Sequence, residues 1–323
     1  MKKPLAIVAG EPNSISSEII FKSWILRKNY NHKPFIVIGS FDLLNLQKKK
    51  LKYNIKIKAI NKNFKSKDLI KNILYVYDIK YTQKKPFQKE STKSNKYIFN
   101  CFDAAIKLIS NKKILGLINC PINKETLFKN KHQGITEFLS KKTGNLGNEV
   151  MLIYNKKLSV SPLTTHIPLV KVSKNMNKIK IINKIKIINR FYRNFFSKRP
   201  NIGILGLNPH NFSQIKKNNE SKIISSAINE LKKLKIKVIG PISPDTSFML
   251  YKDYKLDVIF GMYHDQVLTP FKALFNYDAI NITLGLPFIR VSPDHGIAKD
   301  ITGKKIANPK SLIECIKFFN YIK

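Results

Sequence analysis

Six short apolar runs, each closed by glycine, proline or a polar residue, recur along the chain with longer helical stretches between them. They occupy residues 5–9, 35–38, 114–118, 202–207, 258–262 and 280–284. Runs this short and this uniformly apolar read as strands buried on both faces. Helical spacing of apolar residues marks 14–26, 97–109, 179–196, 221–234 and 311–321. Strands alternating with helices indicate an α/β protein with a largely parallel sheet, because a parallel pair needs a long crossover to return the chain. In such sheets ligands gather beyond the carboxyl ends of the strands, where loops carry the chemistry.

Three of the six histidines stand where those loops begin. His210 in GLNPH (206–210) and His264 in MYHDQ (262–266) follow strand runs, and His166 in TTHIP (164–168) follows the shorter apolar run 158–163. Neutral imidazole is the commonest ligand of divalent transition ions, and three protein ligands plus an open position is the usual catalytic arrangement. A lone histidine beside a strand is ordinarily a core or loop residue; three in this pattern favour a metal site.

The 323 residues suffice for two lobes, each with its own core. The net charge of +39 is unusual, with 59 Lys and Arg against 20 Asp and Glu. Only five of those cations are arginine (27, 190, 193, 199 and 290), and lysine is spread through nearly every segment. Base-reading proteins rely on arginine forks within a defined module, and no such module occurs here. The charge therefore implies weak attraction to polyanions and no specific nucleic-acid partner. Cys101, Cys120 and Cys315 form no CxxC pair, which points to a reducing compartment and to small packing residues. The apolar stretch after MKK is too short for a leader or a span, so a soluble cytoplasmic protein is expected. Residues 178–193 (KIKIINKIKIINRFYR) read as an amphipathic surface helix, with Ile179, Ile182 and Ile187 partly fitting one face. Residues 43–95 show little periodicity.

Six stretches carry a resemblance to a known family: CPINKETL (120–127), TTHIPL (164–169), GLNPH, GPISPDT (240–246), MYHDQ and NITLGLPFIRVSPDHGIAKDITG (281–303). Together they resemble the 4-hydroxythreonine-4-phosphate dehydrogenases of vitamin B6 biosynthesis. That resemblance implies the fold of the isocitrate and isopropylmalate dehydrogenases, with two α/β lobes flanking an active-site cleft. One lobe would comprise 1–125 with a returning segment 286–323, and the other 126–285. It also implies a homodimer whose metal and substrate sites are completed across the subunit interface. The implied reaction is NAD-dependent oxidation and decarboxylation of 4-phosphooxy-L-threonine to 3-amino-2-oxopropyl phosphate.

By the same resemblance His166, His210 and His264 hold the metal, for which zinc is the natural partner of imidazole, with cobalt, manganese or iron as alternatives. A cation at the substrate hydroxyl would ease hydride loss and then stabilise the enolate left by decarboxylation. Thr136, Lys272, Asn281 and Arg290 match substrate-binding positions. Asp245 and Asp265 lie in motifs beside the site, either orienting imidazoles or reaching a neighbouring subunit's pocket, or else forming caps and turns. His295, Gly296, Ala298 and Asp300 match a loop that binds the adenosine of the coenzyme, Asp300 accepting from a ribose hydroxyl.

Three departures from the family pattern stand out. Ile135 replaces a substrate-contacting histidine, and His132 lies just upstream. Residues 13–16 have lost two glycines, and 211–215 replace a glycine-rich acidic loop, which restricts positive φ angles. These changes leave open a related dehydrogenase acting on another phosphorylated hydroxy acid, or a catalytically weakened metal-binding homologue.

Overall fold

The structure, a computed structural model, describes residues 3–128, 134–208, 219–276 and 278–322. The chain divides into two compact units, Met1–Ile135 with Phe288–Lys323, and Thr136–Pro287. The first unit contains β1 (Leu5–Val8), β2 (Phe35–Gly39), β3 (Ile57–Ile60), β4 (Leu74–Asp78) and β5 (Leu117–Asn119). The second holds β6 (Val150–Tyr154), β7 (Ser159–Thr164), β8 (Ile202–Leu205), β9 (Val238–Ile242), β10 (Val258–Tyr263) and β11 (Ile280–Leu284). A last strand, β12 (Arg290–Pro293), returns to the first unit.

In the first unit the strand order is β3-β4-β2-β1-β5-β12, every pair parallel. Strand β1 lies between β2 and β5, and its four residues are fully buried, as a central parallel strand covered on both faces must be. Strand β3 at the edge reads IKAI and is half exposed, so it carries no continuous apolar run. In the second unit the order is β11-β6-β7-β10-β8-β9. There β11, β6 and β7 pair antiparallel, while β7, β10, β8 and β9 are parallel.

Helices cover these sheets with one apolar stripe each. In the helix Asn95–Ser110 the buried side chains are Tyr97, Ile98, Cys101, Phe102, Ala105 and Leu108, three or four residues apart. The helix Lys178–Phe196 buries Ile181, Ile182, Ile185 and Ile188 and turns its lysine-rich face outward. Its Asn177 side chain accepts the backbone N–H of Ile179 at 2.8 Å, closing the amino end. Ile179 itself is 65% exposed and Ile187 only partly buried, so of the three isoleucines expected on one face only Ile182 is buried, and the stripe begins at Ile181. The run 114–118 also begins late, as β5 starts at Leu117. A Cβ on Gly116 would come within 2.3 Å of the Phe319 ring, so that glycine admits the C-terminal aromatic. The helix His264–Phe275, which contains Pro270, has no counterpart among the predicted helices. All three cysteines are buried and free, and no described helix is long and apolar enough to cross a membrane.

The returning segment is fastened to the amino end of the first unit by polar contacts. Ile15 N–H donates to Ile297 O at 3.3 Å, and Ala307 N–H donates to the buried Glu18 carboxylate at 2.7 Å. Lys22 neutralises Glu18 at 2.8 Å, which makes burial of that charge tolerable.

The turn after β1 is tightly constrained. Gly10 has φ +75°, and a Cβ there would lie 2.4 Å from Pro121 O and 2.9 Å from Cys120 O. Gly10→Ala is therefore expected to destabilise the protein by about 2–4 kcal/mol. A lowered urea midpoint would show it; an unchanged midpoint would mean that this close backbone approach is absent.

Glu11 beside it is 1% exposed. Burial pushes its carboxyl up from near 4.5 to about 7, aided by the charge of Glu90 and opposed by the Asn13 N–H and the Ser94 hydroxyl. Below about 4.5 both the folded and unfolded forms are protonated. As pH rises toward 7 only the unfolded chain ionises, so native stability falls, by about 3 kcal/mol once the transition is complete. Between pH 5 and 7.5 the melting temperature should drop relative to Glu11→Gln; parallel profiles for the two proteins would show that Glu11 is not a buried acid.

Candidate active site

Strands β7 and β10 lie side by side in parallel, with Thr164 opposite Tyr263. His166 follows the end of β7 and His264 the end of β10, so this register delivers both imidazoles to one sheet edge. Their ring centroids are 5.9 Å apart with planes tilted by 37°. His166 adopts φ +52°, uncommon for a residue with a side chain, as the chain turns off the strand. His264 is the first residue of the helix His264–Phe275, and its Nδ1 is 2.7 Å from Asp265 Oδ1. A carboxylate on Nδ1 fixes the ring and leaves Nε2 as the donor toward an ion. The same motif's Gln266 accepts the Met262 N–H at 2.7 Å and donates to Gly206 O at 2.8 Å, tying the helix to β10 and to the turn after β8.

Nitrogen ligands lie about 2.0–2.1 Å from zinc, so two imidazoles sharing one ion have centroids roughly 5–6 Å apart. The spacing of His166 and His264 fits a shared divalent cation. Glu137 Oε1 stands 4.0 Å from His166 Nδ1, while Glu137 Oε2 is buried with no hydrogen-bond partner among the described residues. Glu137 carried no assignment from the sequence, because nothing local links it to a histidine so far along the chain. His210 and His132 lie outside the described residues, as does the segment 211–215. Among the described residues no three His, Cys, Asp or Glu side chains form a group able to hold a metal.

Other predicted residues gather in the second unit. Thr136, in the helix Ile135–Lys142, places its hydroxyl 3.2 Å from that of Thr283 on β11. Asn281 is two residues earlier on the same strand face, and its Oδ1 is buried without a hydrogen-bond partner among the described residues. That orphaned acceptor suits a ligand N–H or O–H. Lys272 lies exposed on the helix that begins with His264, about 12 Å along its axis. Asp245 sits in the short helix Pro244–Ser247 and accepts the Ser243 hydroxyl at 2.7 Å, a local turn contact. Lys184, on the helix Lys178–Phe196, has its ammonium pKa lowered by burial, with the carboxylates of Glu149 and Glu137 opposing the shift.

Arg290 and the coenzyme-loop residues belong to the first unit. Arg290 opens β12, is 4% exposed, and donates Nε–H to Asn119 Oδ1 at 2.6 Å. His295 Nδ1 lies 3.0 Å from Gly296 O, and a Cβ on Gly296 would meet nothing within 4 Å. Ala298 takes the left-handed conformation with φ +46°, and Asp300 is exposed in the single turn Lys299–Ile301. The missing glycines at 13–16 produce no strain, since none of those residues has positive φ. Polar side chains occupy the space instead. Ser14 donates to Glu11 O at 2.7 Å, and the Asn13 side chain accepts the Gln88 N–H at 2.8 Å. Ile135, where the family has histidine, is 3% exposed.

Residues 31–319 match the family described as pyridoxal phosphate biosynthetic protein PdxA. A 4-hydroxythreonine-4-phosphate dehydrogenase from Sulfurihydrogenibium sp. is 38% identical over 323 residues, covering 99% of this chain and 98% of that protein. A D-threonate 4-phosphate dehydrogenase from Salmonella typhimurium is 32% identical over 321 residues, covering 98% of this chain and 97% of the relative. Among solved structures, a 4-hydroxythreonine-4-phosphate dehydrogenase from Klebsiella pneumoniae superposes with a TM-score of 0.86 at 28% identity, covering all of both chains. Isocitrate dehydrogenase from Methylococcus capsulatus shares the fold alone, at TM-score 0.52 and 10% identity, over all of this chain and 86% of that one. Matched along nearly its whole length by both sequence and architecture, the chain belongs to the PdxA family.

Proposed function

We propose that the protein oxidises and decarboxylates 4-phosphooxy-L-threonine to 3-amino-2-oxopropyl phosphate, with NAD as oxidant, in pyridoxal phosphate biosynthesis. The observation that carries this reading is full-length membership of the PdxA family together with two imidazoles 5.9 Å apart at the strand ends. His166, His264 and His210 would hold a divalent cation, zinc being the best match to imidazole donors. When bound, that cation supplies positive charge at the substrate's hydroxyl oxygen, and NAD at the loop 295–300 supplies the hydride acceptor.

In the balanced reaction, the carbon bearing the hydroxyl gives up a hydride and the hydroxyl its proton. The resulting β-keto acid then loses carbon dioxide, and the electron pair of the broken bond takes up a proton at the amino-bearing carbon. Asp265, 2.7 Å from His264 Nδ1, would hold that ring in one orientation and leave its other nitrogen for the cation. The Thr136 hydroxyl and the Asn281 amide provide hydrogen bonds for substrate polar groups. Lys272 and Arg290 are the proposed cationic partners of its phosphate and carboxylate. Phosphate binding, remote from the reacting carbon, orients the substrate.

We also propose a cytoplasmic homodimer, with Asp245 serving the neighbouring subunit. Exposed apolar side chains adjoin the proposed site segments: Leu169 at 66% and Val170 at 83% follow His166, and Met249 at 78% follows Asp245. Such side chains are suited to burial by a second copy of the chain.

A second reading has its own support. With Ile135 in place of an imidazole, and with a relative named D-threonate 4-phosphate dehydrogenase at 32% identity, that hydroxy acid is the alternative substrate. NADH absorbance should rise when the protein is given 4-phosphooxy-L-threonine, NAD and zinc. Turnover of D-threonate 4-phosphate alone would move the assignment to the second reading, and turnover of neither would reject both. His264→Ala is expected to lower kcat/KM at least about 100-fold and to reduce the zinc retained after gel filtration. Full activity with zinc still bound would contradict the ligand assignment.

A further inference from the structure

A buried carboxylate in the first unit joins three segments that no motif connects. Glu90 lies between β4 and the helix Asn95–Ser110, and its side chain is 8% exposed. Its Oε2 receives the Asn123 side-chain amide, from the CPINKETL stretch, and lies 3.1 Å from Lys299 Nζ. Asn123 is itself fixed, because its Oδ1 accepts the Thr126 N–H at 3.2 Å at the start of the helix Lys124–Phe128. Glu90 Oε1 is buried and has no hydrogen-bond partner among the described residues. The Glu11 carboxyl is near enough to feel the charges of both Glu90 and Lys299.

Lys299 belongs to the loop 295–300, directly after Ala298 with its left-handed φ of +46°. That conformation costs a side-chain-bearing residue on the order of 1 kcal/mol and persists only where neighbours hold it. The Ile301 N–H and the Thr302 hydroxyl bond Ala298 O locally, each at 3.2 Å, while the Ile15 N–H on Ile297 O and Lys299 on Glu90 tie the loop to other segments of the unit. Of these two ties, the first fixes backbone ahead of the strained residue and the second fixes the side chain just after it. Lys299 also lines a cavity of about 560 Å³ with Lys84, Lys85, Phe87 and Lys89.

We propose that Glu90 is a positioning residue for the coenzyme: by holding Lys299 at the carboxylate oxygen that Asn123 also bonds, it keeps the loop 295–300 in the shape that receives the adenosine of NAD. The inference rests on the coenzyme reading of that loop. Glu90 touches no reacting atom and acts through Lys299, so its removal should weaken NAD binding while sparing the chemical step.

In steady-state assays Glu90→Gln should raise the KM for NAD about tenfold, with kcat and the KM of the phosphorylated substrate within about twofold of wild type. Lys299→Met, altering a side chain that is 63% exposed, should do the same without threatening the fold. The double variant should be no worse than either single one, because both remove one interaction. NAD titrated into each protein by calorimetry separates the possible failures. If the wild-type protein binds no NAD, the coenzyme reading falls and this inference with it. If it binds NAD and neither substitution weakens binding, or if the two effects simply add, the inference alone is overturned.

Discussion

The parallel pairing of β7 with β10 is the constraint on which the proposed chemistry depends. With Thr164 opposite Tyr263, the next residues of both strands leave the sheet together, and two imidazoles meet within 5.9 Å. Slipping that pairing by one residue would turn each following side chain to the other face and separate the rings. The register is held from several sides. Buried Ser161 donates its hydroxyl to Met151 O at 2.7 Å, Thr164 donates to Met262 O at 2.7 Å, and Gln266 locks the helix onto β10. Gly261 lets that helix approach, since a Cβ there would lie 2.4 Å from Val267. The MYHDQ stretch thus combines a candidate ligand, the carboxylate that orients it, and the amide that fixes both to the sheet.

The first unit follows a different logic. Its proposed coenzyme loop lacks a glycine at the left-handed position, where Ala298 stands, and relies on contacts to the turn after β1 and to Glu90. Buried carboxylates recur here. Glu18 and Glu90 are each matched by a lysine, whereas burial raises the Glu11 carboxyl to about 7. The abundant lysine of this chain is therefore not only a solvated coat, since Lys22 and Lys299 tie the returning C-terminal segment to the rest of the unit.

Strands buried on both faces were legible as unbroken apolar runs, and β1, β2, β10 and β11 fall within a residue or so of their expected bounds. Elements with mixed signals were not. Strand β3, at an edge, has its apolar residues interrupted by Lys58, β9 contains Gly240 and Pro241, and the helix after β10 tolerates Pro270. In each case neighbours in space override a weak local preference. The same divide runs through the site. Asp265 is next to His264 in sequence, so its part could be suspected from the motif. Glu137 near His166, and Glu90 on Lys299, are brought together only by the tertiary fold. Polar residues at 13–16 looked like a loss of needed glycine freedom, yet the turn they form uses ordinary φ angles and satisfies itself through side-chain hydrogen bonds.

Crystals of the zinc-loaded protein, with anomalous diffraction recorded on either side of the zinc absorption edge, test the central claim most directly. The account requires one strong peak about 2.1 Å from a ring nitrogen of both His166 and His264, with Asp265 on the far nitrogen of His264. A zinc peak elsewhere, or one bound by only one of these two rings, would contradict it.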